Sequence, residues 1–253
     1  MKISVVTAVF NRVGTIGQVL AGVQAQTYPR IEHVIQDGGS TDGTLETILS
    51  AADERTAIVS APDCGIYDAI NRGIARATGD VIGLMHSDDF FAHDRVLERV
   101  AQAFSQPDID GAYGDLDYVS ATDPARVIRH WRSGTYTRKK LERGWMPPHP
   151  TLYLRRDVFA RWGVYDTNFR IAADYDAMLR YLVQGNVRLA YIPEVLVKMR
   201  LGGESNRSLN RILQKSQEDL RVIRRNGVGG IGTLALKNLR KIEQFIQKES
   251  ASS

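Results

Sequence analysis

Two carboxylates stand side by side in Ser87-Asp88-Asp89, directly after the apolar run of residues 80–85. Gly79 bounds that run on one side and a polar turn bounds it on the other, so it reads as a short buried strand. Asp88 and Asp89 then emerge at the carboxyl end of the strand, where open α/β sheets bind ligands. Adjacent carboxylates repel each other unless a cation sits between them. A hard divalent cation with oxygen ligands suits them, and Mg²⁺ or Mn²⁺ would bring phosphates with it. The plainer alternative is a solvated turn ahead of a helix that begins near Asp94. The pair alone does not separate the two.

A second acidic phrase, Asp37-Gly-Gly-Ser-Thr-Asp-Gly-Thr44, follows another strand-like run. An Asp at a strand end can accept from a base N–H or a ribose hydroxyl. Turn and helix-capping chemistry is the competing account of Asp37, and more so of Asp42. Neither Gly-x-Gly-x-x-Gly nor Gly-x-x-x-x-Gly-Lys follows the first strand, which argues against a Rossmann dehydrogenase and a P-loop enzyme.

These residues need elements to hold them. Apolar runs at 3–9, 31–36, 57–60 and 80–85 alternate with helical spacing over 14–26, 44–52 and 66–77. That alternation implies a parallel, doubly wound α/β sheet with right-handed crossovers. Tyr67 and Asn71 fall one helical turn apart and can face a ligand, although core packing is the simpler account of Tyr67. After Asp89 the pattern loosens. Helices are expected at 94–105, 157–162 and 173–184, and strands at 110–119, 126–132, 151–155, 187–192 and 195–200. Residues 145–150, Trp-Met-Pro-Pro-His-Pro, form a proline-fixed loop.

The chain has 253 residues, a net charge of +4 and one cysteine, Cys64. The size allows a substantial core. A single cysteine excludes an intramolecular disulfide and a cysteine zinc site, and it fits a reducing cytoplasm. The first apolar run is too short for a signal-peptide core, and no run reaches the length of a spanning helix. The tail carries two helical segments, 207–226 and 231–248, dense in Arg and Lys. They can lie on an anionic membrane surface or pack on the domain with a solvated basic face. Nucleic acid is not expected as a partner, because the cations are not interleaved with stacking aromatics.

Taken together, the phrases Ile3-Ser-Val-Val-Thr-Ala-Val-Phe-Asn11, Gln26-Thr-Tyr-Pro29, Asp37 to Thr44, Asp63-Cys-Gly-Ile-Tyr-Asp-Ala-Ile-Asn-Arg-Gly73, Ala77-Thr-Gly-Asp80 and Ser87-Asp-Asp89 resemble the inverting family 2 glycosyltransferases of the GT-A fold. The match is strongest over residues 1–95, looser to about residue 200, and absent from the tail. The resemblance implies a GT-A domain over 1–206, with a nucleotide-sugar half at 1–95 and an acceptor half at 96–206, followed by a basic helical extension at 207–253.

It further implies a donor site in which Thr7, Asp37 and Asp63 surround the base and Asn11 adjoins them. Asp88 would contact the ribose or a metal-bound water, and Asp89 would ligate Mg²⁺ or Mn²⁺. The family's acidic motif is often Asp-x-Asp; here its first position is Ser87, which leaves the metal mainly to Asp89. Inversion needs one base on the face opposite the leaving group. Asp174, in Ile171-Ala-Ala-Asp-Tyr-Asp176, matches the family's base, with Ala173 in place of the usual Glu. A helix start favours its ionised form. Asp176, on another helix face, is the runner-up. His149 is expected at the acceptor or a phosphate. Arg200, ahead of Gly202-Gly203, is expected on a loop that closes on the diphosphate.

The implied activity is transfer of a sugar from a nucleotide-sugar to an acceptor hydroxyl. Its expected setting is bacterial surface polysaccharide or glycolipid assembly, on a saccharide or lipid-linked saccharide. The expected location is cytoplasmic, with a peripheral seat on the inner membrane face through the tail. The rivals are a sugar nucleotidyltransferase and a non-catalytic nucleotide-sugar binder. The first lacks its phosphate loop here, and the second would have lost the carboxylates.

Overall fold

The computed structural model describes residues 1–201 and 209–246. The expected loop at residues 202–206 and the tail cations Arg207 and Lys248 lie outside the described residues. Four parallel strands build the first half: β1 (Ile3–Val9), β2 (Ile31–Asp37), β3 (Thr56–Ser60) and β4 (Val81–Leu84), in the spatial order β3-β2-β1-β4. Helices α1 (Val13–Gln24), α2 (Thr44–Ala51) and α3 (Ile66–Arg76) connect them. β1 is buried at every residue, as a parallel strand covered on both faces must be. α1 buries Ile16, Val19, Leu20 and Val23, the spacing of one helical face.

From β3 at one edge the chain returns to the far side of β1 to lay down β4. The order reverses there, so the carboxyl ends of β1 and β4 frame a crevice. Register aligns Val9 with Asp37 and Asp37 with Ser60. The strand-end acids therefore share one edge.

The second half mixes directions. Its elements are β5 (Phe90–Phe91), α4 (Val96–Ala103), β6 (Gly111–Val119), β7 (Val127–Trp131), α5 (Arg138–Glu142), β8 (Tyr153–Arg155), α6 (Arg156–Trp162), α7 (Ala173–Leu179) and β9 (Leu189–Arg200). β8 runs antiparallel to both β4 and β6, and β9 lies parallel to β6. Gly83 faces Tyr153 in that pairing. A Cβ there would lie 2.2 Å from the tyrosine ring, so the space beside β4 belongs to Tyr153.

Residues 187–192 and 195–200, expected as two strands, are replaced by the one strand β9 (Leu189–Arg200), which runs through Pro193. The pairing with β6 jumps from Tyr113–Tyr191 to Asp115–Val195. Proline has no N–H for the ladder, and a register shift absorbs the loss. α5 and β5, five and two residues long, are too short to leave a periodic signal.

The tail forms α8 (Leu209–Arg225) and α9 (Ile231–Ile246). Val222, Ile223 and Val228 are buried in one cluster with Tyr175, Leu179 and Leu182. Lys237, one of the tail cations, is buried: its Nζ donates to Asp219 at 2.7 Å and sits 3.3 Å from the centre of the Tyr175 ring. One face of the tail thus packs on the domain. Among the described residues no helix is long and apolar enough to cross a membrane.

Candidate active site

The edge formed by β1, β2 and β3 is shaped by Asp37. Its carboxylate is buried and accepts from Gly39 N–H (3.1 Å), Ser40 N–H (3.1 Å), Ser40 Oγ (2.5 Å) and Ser60 Oγ (2.6 Å). Burial alone would raise its pKa, but these bonds outweigh burial and hold it below the ordinary value. Asp37 is therefore a turn-shaping group here. Asn11 braces the same loop: its Oδ1 accepts from Thr41 N–H at 2.9 Å, and its own N–H donates to Ser40 Oγ at 2.9 Å. The left-handed backbone of Asn11 (φ 51°) is one that asparagine tolerates. Asp42 caps α2 through Thr44 N–H at 3.0 Å.

Asp63 closes over this loop. A Cβ on Gly38 would lie 2.5 Å from Asp63 Oδ2 and 3.4 Å from the Phe10 ring, so the approach needs glycine. Phe10 is 55% exposed, a bare aromatic face beside a carboxylate. Thr7, expected at the base, is fully buried, with its hydroxyl 3.0 Å from His33 Nε2 inside the sheet.

Asp88 and Asp89 follow β4. Asp89 is 1% exposed; its Oδ1 accepts from Arg200 N–H at 3.2 Å, and its Oδ2 is buried with no hydrogen-bond partner. Burial first, and the neighbouring Asp88 second, push its pKa well above the carboxylate range. The Arg200 guanidinium donates to the Asp88 carbonyl oxygen and to Gln18 Oε1 and lies over the Phe90 ring. Arg200 therefore ends β9 against the acidic pair. Among the described residues no group of three or more His, Cys, Asp or Glu side chains can hold a metal ion alone. An unpartnered buried carboxylate oxygen beside a second carboxylate still fits a Mg²⁺ or Mn²⁺ site completed by substrate phosphates.

Asp174 lies in the first turn of α7. Its Oδ2 is 3.2 Å from His149 Nδ1, and its Oδ1 is 3.3 Å from the Tyr67 hydroxyl, which donates to Ile171 O at 2.7 Å. His149 Nε2 lies 2.8 Å from His86 Nε2. Burial lowers the pKa of both rings, and Asp174 opposes the shift. α8 braces the start of α7 from behind: Glu218 accepts from Ile171 N–H at 2.8 Å and Ala172 N–H at 3.0 Å. Asp176, the runner-up base, is 0% exposed. Its Oδ1 accepts from Asn226 at 3.1 Å, and Arg180 pairs with its Oδ2. Two residues along a helix is a turn of about 200°, so this carboxylate points into the α7–α8 seam, where no acceptor can reach it.

The family described as Glycosyl transferase family 2 matches residues 4–162 of this chain. The chain belongs to glycosyltransferase family 2.

Other similarities agree. The family 2 chain is 33% identical over 181 residues to an uncharacterised glycosyltransferase of Mycobacterium tuberculosis, covering 70% of this chain and 68% of that one. It is 29% identical over 208 residues to a PGL/p-HBAD biosynthesis glycosyltransferase of Mycobacterium bovis, covering 80% and 78%. Among solved structures it superposes on S. aureus TarS 1-349 in complex with UDP-GlcNAc with a TM-score of 0.72 at 17% identity, over 90% of this chain and 66% of that one. The mannosyltransferase PcManGT of Pyrobaculum calidifontis, in complex with GDP-Man and Mn2+, gives 0.66 at 17% identity, over 98% and 70%. At such identities the structural matches establish the GT-A fold.

Sequence reasoning missed three residues that the structure brings to the candidate site. His86 carried its signal in position, two residues past the end of β4 and just before Ser87. Phe10 is an apolar residue just past β1 and before Asn11, and its ring is 55% exposed. Glu218 had no local signal, since its partners lie 46 and 47 residues away. Asn71, expected to face the donor, instead clamps the Tyr165 backbone, with bonds of 2.8 and 3.0 Å.

Proposed function

We propose that this family 2 chain moves a sugar from a nucleoside-diphosphate donor to an acceptor hydroxyl with inversion, in surface polysaccharide or glycolipid assembly. One observation carries the reading. Asp63 and the Asp88-Asp89 pair stand at the carboxyl edge of the sheet, and Asp174 is joined to that edge through His149 and His86. In this reading the Phe10 ring takes the base and Asp63 accepts from the base or ribose. Asp37 and Asn11 hold the loop beneath, and Arg200 meets the diphosphate beside Asp88. Asp89 Oδ2 with Asp88 would hold Mg²⁺ or Mn²⁺, which when bound neutralises charge on the departing diphosphate.

Asp174 removes the acceptor hydroxyl proton as that oxygen bonds to the anomeric carbon. The bond to the diphosphate oxygen breaks and its electron pair leaves with the nucleotide. Attack on the opposite face of an oxocarbenium-like centre inverts it. The UDP-GlcNAc and GDP-Man complexes of the solved neighbours support a donor of this class. The named glycolipid relative supports a saccharide or lipid-linked acceptor. Exposed Ile212, Leu213, Ile231, Leu236 and Leu239 on α8 and α9, with cations nearby, support a peripheral seat on the anionic cytoplasmic face of a membrane.

The test is thermal unfolding with UDP, GDP, UDP-GlcNAc and GDP-mannose, each with and without Mn²⁺. A ligand at a hundred times its Kd should stabilise the native state by about 2.7 kcal/mol. A panel with no Mn²⁺-dependent shift would sink the reading.

A further inference from the structure

His149 has two partners that dictate where its hydrogen sits. Its Nδ1 is 3.2 Å from Asp174 Oδ2 and its Nε2 is 2.8 Å from His86 Nε2. Nδ1 of His149 faces the Asp174 carboxylate at ion-pair distance, and an ionised carboxylate only accepts, so the tautomer that suits this contact carries its hydrogen on Nδ1. A neutral imidazole has one N–H. Nε2 of His149 is then the acceptor, and His86 must donate from its own Nε2. The ring planes cross at 73°.

The mount of His149 is rigid. Pro148 and Pro150 flank it, and the short 3-10 turn His149–Thr151 carries it. Thr151 Oγ1 is tied to Pro148 O at 2.9 Å and to Gly114 O at 3.1 Å. Tyr67 approaches the other oxygen of Asp174 but makes its shorter bond to Ile171 O. His149, held between two prolines, is thus the stiffer of the two side chains that meet the carboxylate.

We infer that His149 is a positioning residue, which holds the Asp174 carboxylate toward the acceptor hydroxyl, and that His86 locks the tautomer that lets it do so. This rests on Asp174 being the base of the proposed reaction. His86 directly follows β4 and Met85 and precedes Asp88 by two residues. The orientation of the base in the second half is thereby fixed to the strand end that receives the donor. Loss of His149 then slows turnover and leaves donor binding intact.

Two experiments test this. The chain has five histidines, few enough to follow by long-range ¹H–¹⁵N imidazole spectra of the full chain. His149 is expected as the Nδ1–H tautomer and His86 as the Nε2–H tautomer, each assigned by the peaks lost in His149→Asn and His86→Asn. His149 found as Nε2–H would overturn the inference, with no need for activity. The second experiment uses whichever donor shifts the wild-type unfolding transition. His149→Ala should lower kcat by about tenfold to a hundredfold with donor KM within about twofold. His149→Asn, whose amide N–H can take the place of Nδ1–H, should recover most of it. His149→Gln, which reaches only toward His86, should not. Equal rescue by Gln and Asn, or a loss confined to donor KM, would overturn it. If no donor yields transfer in the wild type, the reading of the reaction fails, and the tautomers still decide the His149 geometry.

Discussion

The N–H of Arg200 donates to Asp89 Oδ1 across 3.2 Å, joining residues 111 positions apart at the floor of the site. The bond satisfies one oxygen of a buried carboxylate and leaves the other without a partner. A charge so placed is costly unless a cation joins it. Asp89→Asn should therefore leave the ligand-free unfolding temperature unchanged or raised. The same variant should lose the Mn²⁺-dependent shift with nucleotide. Retention of that shift would remove Asp89 from the metal site.

Gly38 is required by the approach of Asp63 Oδ2 to within 2.5 Å of where its Cβ would be. Gly38→Ala should displace Asp63 and Phe10 together and weaken nucleotide binding by about tenfold, equal to about 1.4 kcal/mol. Gly14, in the first turn of α1, has nothing within 4 Å of its Cβ position. Gly14→Ala should be neutral or stabilise by up to about 1 kcal/mol through helix propensity. Titration calorimetry with UDP and GDP on both variants makes the comparison.

Phe10→Ala tests the exposed ring alone. Base–aromatic stacking is worth about 1–3 kcal/mol, so nucleotide affinity should fall by about fivefold to 150-fold. Stability should hold, because a side chain that is 55% exposed contributes little to the core. Unchanged affinity for every nucleotide would exclude stacking.

Asp174 and Asp176 should part company. Asp176→Ala removes the partner of Asn226 and Arg180 in a fully buried seam. It should destabilise the protein by about 3 kcal/mol. Asp174→Asn should unfold at close to the wild-type temperature, keep the donor-induced shift and lose transfer. Denaturant midpoints and product formation, measured side by side, separate a structural acid from a reactive one.

Acid should lower the stability of the protein over two pH windows. Burial holds His33 at about 4, against 6.5 for a free ring. The unfolded chain takes up that proton first, so stability falls as pH drops from about 6.5 to 4. For Glu32, burial pushes upward but bonds from Ser4, Thr78 and Lys2 outweigh it and bring the carboxyl from 4.5 to about 2. Its contribution is complete above about pH 4.5 and is lost as pH falls toward 2. Each is worth about 3 kcal/mol. Urea midpoints against pH should show both stages; burial lowers His86 and His149 as well, so His33→Gln should reduce the upper stage without abolishing it. A midpoint constant from pH 7 to 5 in the wild type would contradict the assignment.

The alternation of apolar runs and helical spacing determined the doubly wound half, because burial on both faces leaves an unbroken apolar strand. The strand-end acids were legible too, since Asp37 and Asp88-Asp89 interrupt those runs at their carboxyl ends. What each acid contacts was decided only in three dimensions. Asp37 turned out to be saturated by Ser40, Ser60 and Gly39, while Asp63 stands over Gly38. Residue type cannot tell a carboxylate that shapes a turn from one that meets a ligand, because donors brought from other strands make the difference. Asp174 and Asp176 are chemically identical and two residues apart. Only the packing of α8, which brings Asn226 to one and Glu218 behind the helix of the other, shows which is buried. The His86–His149 contact spans 63 positions. No local period encodes it, because it arises where the end of β4 meets the proline-fixed turn ahead of β8.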